Sequence, residues 1–193
     1  MVPAARLFLI RHAPARDGGA LAGRRDVAAD LSDAGAVAAL HARLAAAGGA
    51  QVLTSPALRC VQTAQALWPD RAEFAQDARL WEQDFGAWEG VPYRDLPDLG
   101  PLDGDALAQH RPPGGESFAD ICARVAPVLE GLGDGAETVA IVAHAGVVRA
   151  ALALALGAIA PALRFQVAPL SLTELQALPG QGWSIGAVNW RAR

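Results

Sequence analysis

Two uninterrupted apolar runs, separated by most of the chain, each end at a histidine. Residues 7–10 run Leu-Phe-Leu-Ile and lead into Arg11 and His12, and residues 139–143 run Val-Ala-Ile-Val-Ala and lead into His144. Short, wholly apolar runs are typical of strands that are buried on both faces, as in a parallel sheet. Because ligands of open α/β sheets bind at the carboxyl ends of the strands, the two histidines are expected to face one crevice.

A third segment adds another arginine to the same crevice. Residues 51–54 form a predicted strand, and Arg59 lies just inside the helix predicted over residues 56–68. Two arginines and two histidines then converge at one edge of the sheet. A planar guanidinium binds phosphate through two parallel hydrogen bonds, so we interpret this edge as a phosphate site.

Predicted strands alternate with predicted helices along the chain. The strands are residues 7–10, 51–54, 138–143, 165–178 and 185–188, and the helices include residues 56–68, 118–132 and 145–156. This alternation predicts an α/β fold, a three-layer α/β/α sandwich whose mostly parallel central sheet has helices on both faces and one antiparallel edge. Residues 1–193 are expected to form a single domain. Residues 90–115, with five prolines and no clear period, predict a small flap over the site.

Charge and cysteine content argue against several classes of protein. The net charge of −4 argues against nucleic acid or an anionic membrane as the main partner. All sixteen basic residues are arginine, which excludes catalysis by a lysine side chain. Cys60 and Cys122 form neither a metal-ligand spacing nor a disulfide framework, and we expect no metal and no cofactor. The apolar run before Arg11 is too short for a signal peptide, so we expect a cytoplasmic protein without a membrane span.

The residues at the crevice predict a covalent mechanism. A histidine nitrogen can attack phosphorus and form a phosphohistidine, which divides hydrolysis into two easier displacements. We predict His12 as this nucleophile because it sits beside a site arginine at a strand tip. The charge of the phosphoryl group is expected to be neutralised by Arg11, Arg59 and His144, the last held cationic by the phosphate. Which group orients His12 through its other ring nitrogen stays open.

Five segments, in this order, resemble the histidine phosphatase superfamily of phosphoglycerate mutase-like enzymes. They are residues 9–14, 54–64, 80–90, 113–118 and 142–149. The third and fifth segments are most similar to the α-ribazole phosphatase and broad-specificity phosphatase branch. The resemblance implies metal-independent hydrolysis of phosphomonoesters. Among the carboxylates of the third segment it selects Glu82, two residues before Asp84-Phe85-Gly86, as the general acid, and it makes Glu89 structural or rim-forming.

The resemblance also implies contacts with the substrate. Gly23-Arg24 matches a Gly-Arg pair near the substrate in phosphatase members, although the adjacent Arg25 leaves open which arginine points inward. Ala145, which starts the helix after His144, is predicted to contact the substrate as well. The expected partner is a small phosphomonoester, α-ribazole phosphate or another bulky ester, and the oligomeric state stays open.

Two alternative functions stay open. A phosphoglycerate mutase is the first, but mutases of the family carry adjacent arginines in the flap, whereas here Arg94 and Arg111 are separated. A non-catalytic, phosphate-binding regulatory module is the second. Enzymes that have lost their activity usually lose the nucleophile or the acid, and His12 and Glu82 are both present.

Overall fold

A computed structural model describes residues 4–48, 50–135, 137–178 and 180–192. The strands in these ranges are β1 (Arg6–Arg11), β2 (Gln51–Thr54), β3 (Ala75–Gln76), β4 (Thr138–Ala143), β5 (Leu172–Leu178) and β6 (Gly182–Trp190). The α-helices are α1 (Ala34–Ala46), α2 (Leu58–Leu67), α3 (Gly104–Gln109), α4 (Phe118–Gly133) and α5 (Ala145–Leu156). Short 3₁₀ turns lie at Ala78–Leu80, Gly86–Trp88, Tyr93–Asp95 and Ala160–Arg164.

The strands form one mixed, mostly parallel sheet in the order β3-β2-β4-β1-β5-β6. The first four of these strands run parallel to one another, whereas β5 is antiparallel to both β1 and β6. The antiparallel strand therefore lies one position inside the sheet, where we expected it at the edge. The parallel strands place the carboxyl ends of β1, β2 and β4 at one edge of the sheet.

Alternating residues of the central strands pack against helices on opposite faces of the sheet. Leu7 and Leu9 of β1 belong to the core that contains buried side chains of α4 and α5. Phe8 and Ile10 belong to a second core with side chains of α1 and α2. All four are at most 1 % exposed, and burying a side chain of this kind stabilises the fold by about 1.5–3 kcal/mol. The three-layer prediction is confirmed.

The boundaries of β4 and α5 lie close to those that the sequence predicts, and α4 begins where predicted. Ser117 accepts a hydrogen bond from the Asp120 N–H, and the Asp120 carboxylate accepts one from the Ser117 N–H, so a capping box fixes the start of α4.

The predicted strand over residues 165–178 is wrong in its first half. Residues 165–171 form a loop, and Leu170 has a left-handed φ of 55°, which an extended strand excludes.

The flap predicted over residues 90–115 has two parts. Its first residues pair with the loop that follows β1, because Leu21 N–H donates to Val91 O at 2.9 Å and Gly90 N–H donates to Leu21 O at 2.9 Å. Its second part contains α3, which packs against α4 and the Ala160–Arg164 turn. Among the described residues, no helix combines the length and apolar character that crossing a membrane requires.

Candidate active site

The carboxyl ends of β1 and β4 bring the two predicted histidines together. The strands are parallel neighbours with Arg11 opposite Ala143, and the His12 N–H donates to Ala143 O at 2.9 Å. The rings of His12 and His144 are in edge contact, with centroids 5.1 Å apart and an interplanar angle of 69°. The two histidines therefore face one crevice, as the apolar runs predict.

Two contacts determine which nitrogen of His12 carries a proton. Nδ1 lies 2.6 Å from the carbonyl oxygen of Ala13, which can only accept, so Nδ1 donates. On the other side of the ring, Arg59 Nε–H donates to His12 Nε2 at 3.3 Å, so Nε2 accepts. Both contacts require the same tautomer, with a lone pair on Nε2. The group that orients His12, which the sequence left open, is the backbone of the next residue.

His12 is held in its neutral form. Burial first, then the positive charge of Arg59 and, less strongly, that of Arg11, lower the pKa of His12 to about 3 against the opposing hydrogen bond to Ala13. At neutral pH the ring therefore carries no charge. A neutral imidazole whose lone pair lies on Nε2 is the tautomer that can attack phosphorus.

Arg59 is a buried guanidinium whose direction is fixed by backbone carbonyls. It lies in the first turn of α2, is 1 % exposed, and donates to the carbonyl oxygens of Arg25 at 3.0 Å and Gly23 at 2.8 Å. Thr63 Oγ1 donates to Arg59 O at 2.7 Å and accepts from the Ala13 N–H at 3.0 Å. The helix that carries the arginine is thereby tied to the loop that carries the nucleophile.

Arg11 is anchored at one end and has a donor to spare at the other. Its Nη1 donates to Val167 O at 2.6 Å, while its buried Nε has no hydrogen-bond partner among the described residues. Burial lowers the pKa of Arg11, and the charge of Glu82 opposes that shift. A buried donor without a partner costs free energy, and an anion in the crevice would remove that cost.

His144 is fully buried among uncharged polar groups and cations. Its Nε2 lies 2.9 Å from Ser55 Oγ and 3.5 Å from Cys60 Sγ. Burial, followed by the neighbouring His12 ring and the positive charge of Arg59, lowers the pKa of His144 well below its usual range. Protonation of His144, expected in the presence of phosphate, therefore requires a negative charge close to the ring. Burial also raises the pKa of the Cys60 thiol, which keeps the thiol protonated.

The Glu82 side chain lies at the amino end of α5, the helix that begins directly after His144. The Gly146 N–H lies 3.1 and 3.2 Å from the two carboxylate oxygens of Glu82, and the Gln83 N–H donates to Oε1 at 3.0 Å. A β-carbon at Gly146 would lie 2.2 Å from Glu82 Oε1, so only glycine permits this approach. Ala145, predicted to contact the substrate, is the first residue of α5 and precedes Gly146 in the chain.

Glu89 has a structural role, as expected. Its carboxylate accepts hydrogen bonds from four backbone N–H groups at 2.8–3.2 Å, those of Gly23, Arg24, Arg25 and Phe85. These contacts join the loop after β1 to the segment that carries Glu82. A carboxylate with all four contacts holds the two loops together.

The two adjacent arginines diverge. The Arg24 guanidinium lies over the Trp81 ring, 5.7 Å from its centroid, and pairs with Glu116 at 3.4 Å. The Arg25 side chain donates to the Leu21 carbonyl at 3.5 Å, back along its own loop. Arg24 is thus the one on the side of Trp81 and His144. Gly23 is required by packing, since a β-carbon there would lie 1.9 Å from Gln83 O.

The sequence reasoning missed the residues that support the site. Trp81 stacks on His144, with centroids 6.3 Å apart and an angle of 8° between the rings. Glu116 receives both Arg24 and Arg124, the latter at 2.9 Å. Burial opposes ionisation of Glu116, but hydrogen bonds from Arg124 and the Asp84 N–H outweigh it and lower the pKa of Glu116. Glu116 lies in one of the five segments that resemble the family, so the resemblance could have indicated it. Arg124 lies outside these segments, and nothing in the sequence indicated it.

Tyr93 links the flap to the loop after β1. Its hydroxyl donates to Asp17 Oδ2 at 2.9 Å, and its N–H donates to Gly19 O at 3.1 Å. Burial and the bond to Asp17 raise the pKa of Tyr93, while the charges of Arg11 and Arg59 oppose that shift. The phenol is therefore within electrostatic range of Arg11 and Arg59, and Tyr93 as a whole remains 51 % exposed.

The donors around the crevice are basic and neutral rather than metal ligands. Within the described ranges, no group of three or more histidine, cysteine or acidic side chains is arranged to hold a metal ion. The arrangement instead brings two imidazoles, two guanidinium groups and the carboxyl of Glu82 close together. These are the parts that phosphoryl transfer to histidine requires.

A family model matches almost the entire chain. The model describes branch 1 of the histidine phosphatase superfamily and matches residues 7–191. Among solved structures, the α-ribazole phosphatase of Shigella flexneri superposes with a TM-score of 0.80 and 26 % identity, covering 97 % of each chain.

Curated relatives are longer than this chain. A bifunctional protein of Mycobacterium tuberculosis is 34 % identical over 154 residues, covering 73 % of this chain and 42 % of the relative. A 6-phosphofructo-2-kinase/fructose-2,6-bisphosphatase of Caenorhabditis elegans is 36 % identical over 110 residues, covering 54 % of this chain and 23 % of the relative. The chain thus spans less than half the length of either relative.

Proposed function

Because the chain belongs to branch 1 of the histidine phosphatase superfamily, we propose that it hydrolyses phosphomonoesters without a metal ion, through a phosphohistidine at His12. One observation carries the proposal. The Ala13 carbonyl and Arg59 together require a neutral His12 with its lone pair on Nε2. A histidine that served only to bind phosphate would act better as a protonated donor.

In the first step, His12 Nε2 attacks phosphorus while the bond from phosphorus to the ester oxygen breaks. Glu82 gives its proton to that oxygen, so the product leaves as an alcohol and the phosphoryl group stays on His12. The Arg59 Nε–H, which donates to His12 Nε2 before the ester binds, then donates to a phosphoryl oxygen. Arg11 contributes its buried Nε donor, and His144 adds a further donor once the anion permits its protonation.

In the second step, water attacks the phosphorus of the phosphohistidine. Glu82, now a carboxylate, removes a proton from that water, the bond between phosphorus and Nε2 breaks, and its electron pair returns to the ring. Orthophosphate leaves and the starting tautomer of His12 is restored. One carboxyl thus acts first as an acid and then as a base, because it regains in the second displacement the proton that it gave in the first.

The substrate we propose is a bulky phosphomonoester, with α-ribazole phosphate as the leading candidate. The structural likeness to the Shigella flexneri α-ribazole phosphatase supports it. So does Tyr93, a half-exposed aromatic ring held by Asp17 within electrostatic range of Arg11 and Arg59. Such a ring can pack against an apolar leaving group.

The test is release of phosphate from a panel of esters with a metal chelator present. The panel contains α-ribazole phosphate, nucleotides, sugar phosphates and phosphoglycerates, and each is assayed with wild type and His12→Gln. We expect hydrolysis by wild type alone. Efficient phosphate transfer between phosphoglycerates would favour the mutase, and phosphate binding without turnover of any ester would favour the regulatory module.

A further inference from the structure

The proposed reaction leaves the stack between Trp81 and His144 without a role. The two rings are nearly parallel, 8° apart, with centroids separated by 6.3 Å. The hydrogen-bond partners of the imidazole, Ser55 and Cys60, carry no charge. The indole face is therefore a source of negative potential beside a ring that must become cationic.

The position of Trp81 is fixed from two directions. Arg124 Nη1 donates to Trp81 O at 3.0 Å, and the Arg24 guanidinium lies 5.7 Å from the centre of the indole. Glu116 pairs with both arginines, at 3.4 Å with Arg24 and at 2.9 Å with Arg124. An indole held in this way can set the orientation of a ring that stacks on it.

We propose that Trp81 is a positioning residue for the reaction: its indole face holds the His144 ring towards the phosphoryl group and stabilises the imidazolium that forms when an anion binds. The inference rests on the proposed role of His144 in binding the phosphoryl group. It does not depend on which residue is the nucleophile, because it concerns binding of the anion and not turnover.

Other charged and titratable groups also face His144, and the test must separate Trp81 from them. They are Arg11 of β1 and His12 directly after it, Arg59 and Cys60 from α2, Arg124 from α4, and Glu82 through its contact with Gly146. The three arginines are cations that oppose protonation of His144. The indole is the neighbour that favours the imidazolium without adding a second negative charge to the phosphate site.

The experiment measures binding of inorganic phosphate and orthovanadate by calorimetry from pH 5 to pH 8.5. Trp81→Leu removes the aromatic face, and Trp81→Phe keeps a smaller one. Trp88→Phe is the matched control, because Trp88 stacks on a different histidine, His110, with ring centroids 5.5 Å apart. We expect Trp81→Leu to weaken binding about tenfold, Trp81→Phe about threefold, and the control not at all.

Two further readouts separate positioning from packing. First, Trp81→Leu should move the pH above which phosphate binding weakens to a lower value, because the imidazolium loses its partner. Second, Trp81→Leu should have no added effect on phosphate affinity in a His144→Gln background, since a double-mutant cycle reports whether two residues act together. Thermal unfolding identifies any variant that is merely unfolded, and Trp81→Phe carries the test if Trp81→Leu fails to fold.

Additive losses of phosphate affinity in the two backgrounds would overturn the proposal, as would an unchanged pH limit in Trp81→Leu. A failure of the proposed phosphatase reaction would look different. In that case no ester is hydrolysed, whereas phosphate still binds and the cycle between Trp81 and His144 can still be measured.

Discussion

Arg59 Nε lies 3.3 Å from His12 Nε2, so the arginine that we propose binds phosphate donates a hydrogen bond to the nitrogen that we propose as the nucleophile. The lone pair of Nε2 is therefore occupied until a phosphoryl oxygen accepts the same N–H. Binding of the phosphoryl group then both frees the nucleophile and neutralises part of the phosphate charge. This coupling gives the arginine two roles, in keeping the tautomer of His12 and in binding the anion.

The first prediction is that a phosphoryl group can be trapped on His12. The neutral ring with its lone pair on Nε2 is ready to form a covalent bond to phosphorus. Rapid quenching during turnover of a ³²P-labelled ester should give an adduct that is labile in acid and stable in base. His12→Gln should give none. Label on Cys60 or on a carboxylate would contradict the mechanism.

The second prediction concerns the leaving group. An alkyl alcohol departs poorly without a proton, whereas p-nitrophenolate departs well, so the acid matters more for alkyl esters. Glu82→Gln should lower kcat on alkyl phosphates roughly 10²-fold or more and affect p-nitrophenyl phosphate much less. Steady-state kinetics on the two esters, with wild type measured in parallel, gives the comparison.

Glu89→Gln is the control for that experiment. Glu89 accepts four backbone N–H groups, and an amide in its place can offer only one oxygen to them. We expect a lower melting temperature and similar losses on both esters, without the contrast between leaving groups. If Glu89→Gln shows the contrast and Glu82→Gln does not, the general acid is Glu89.

Much of the fold could be predicted because its central elements are uniformly apolar. The segments that became β4 and α5 contain long apolar stretches whose ends are set by His144 and Gly157. The loop over residues 165–171 could not be predicted in the same way. Its apolar residues resemble a strand, but Leu170 N–H donates to Arg11 O at 3.0 Å and Val167 O accepts from Arg11. Tertiary contacts with the site override local propensity there.

The candidate site could be predicted at the strand ends and not between elements. His12 and His144 follow apolar runs, so local patterns locate them. The stack of Trp81 on His144 and the bond between Ser55 and His144 join side chains from separate parts of the chain. Such contacts depend on how whole elements pack, which one sequence does not reveal.

The third prediction concerns stability in acid. The pKa of His12 falls from 6.5 to about 3 on folding, so between these values the unfolded chain binds a proton that the folded chain does not. Stability therefore rises with pH across this window and is lost as pH falls from about 6.5. Between pH 7 and pH 5, the free energy of unfolding should fall by about 2 kcal/mol less in His12→Gln than in wild type.

Denaturant titrations at the two pH values measure that difference. His41→Gln, a histidine substitution on the exposed side of α1, is measured in parallel. An equal loss for wild type and His12→Gln would mean that the buried ring is not held neutral. His144→Gln should shift the dependence in the same direction, since burial also lowers the pKa of His144.

The fourth prediction is that activity survives removal of metal ions. The charge of the phosphoryl group is proposed to be met by Arg11, Arg59 and His144, which need no cation beside them. Dialysis against EDTA followed by assay in chelator should leave kcat unchanged within error. Loss of activity that Mg²⁺ or Zn²⁺ restores would show that a metal shares this role.

The last prediction concerns the substrate. The flap holds Tyr93 through its bond to Asp17, while its arginines Arg94 and Arg111 are separated in sequence and pair with Asp95 and Asp120. Such a flap suits a partly apolar leaving group better than a second anion. We expect kcat/KM for α-ribazole phosphate, or a similar bulky ester, to exceed that for 3-phosphoglycerate at least about tenfold, equivalent to roughly 1.4 kcal/mol.

Tyr93→Ala tests whether the ring supplies that preference. It should lower kcat/KM for the bulky ester about tenfold and leave 3-phosphoglycerate nearly unchanged, because binding energy from a remote contact acts only on substrates that reach it. Tyr93→Phe keeps the ring but loses the hydrogen bond to Asp17. Its kcat/KM for the bulky ester should lie between those of wild type and Tyr93→Ala. Equal or better turnover of phosphoglycerates by wild type would overturn the preference for bulky esters and favour the mutase.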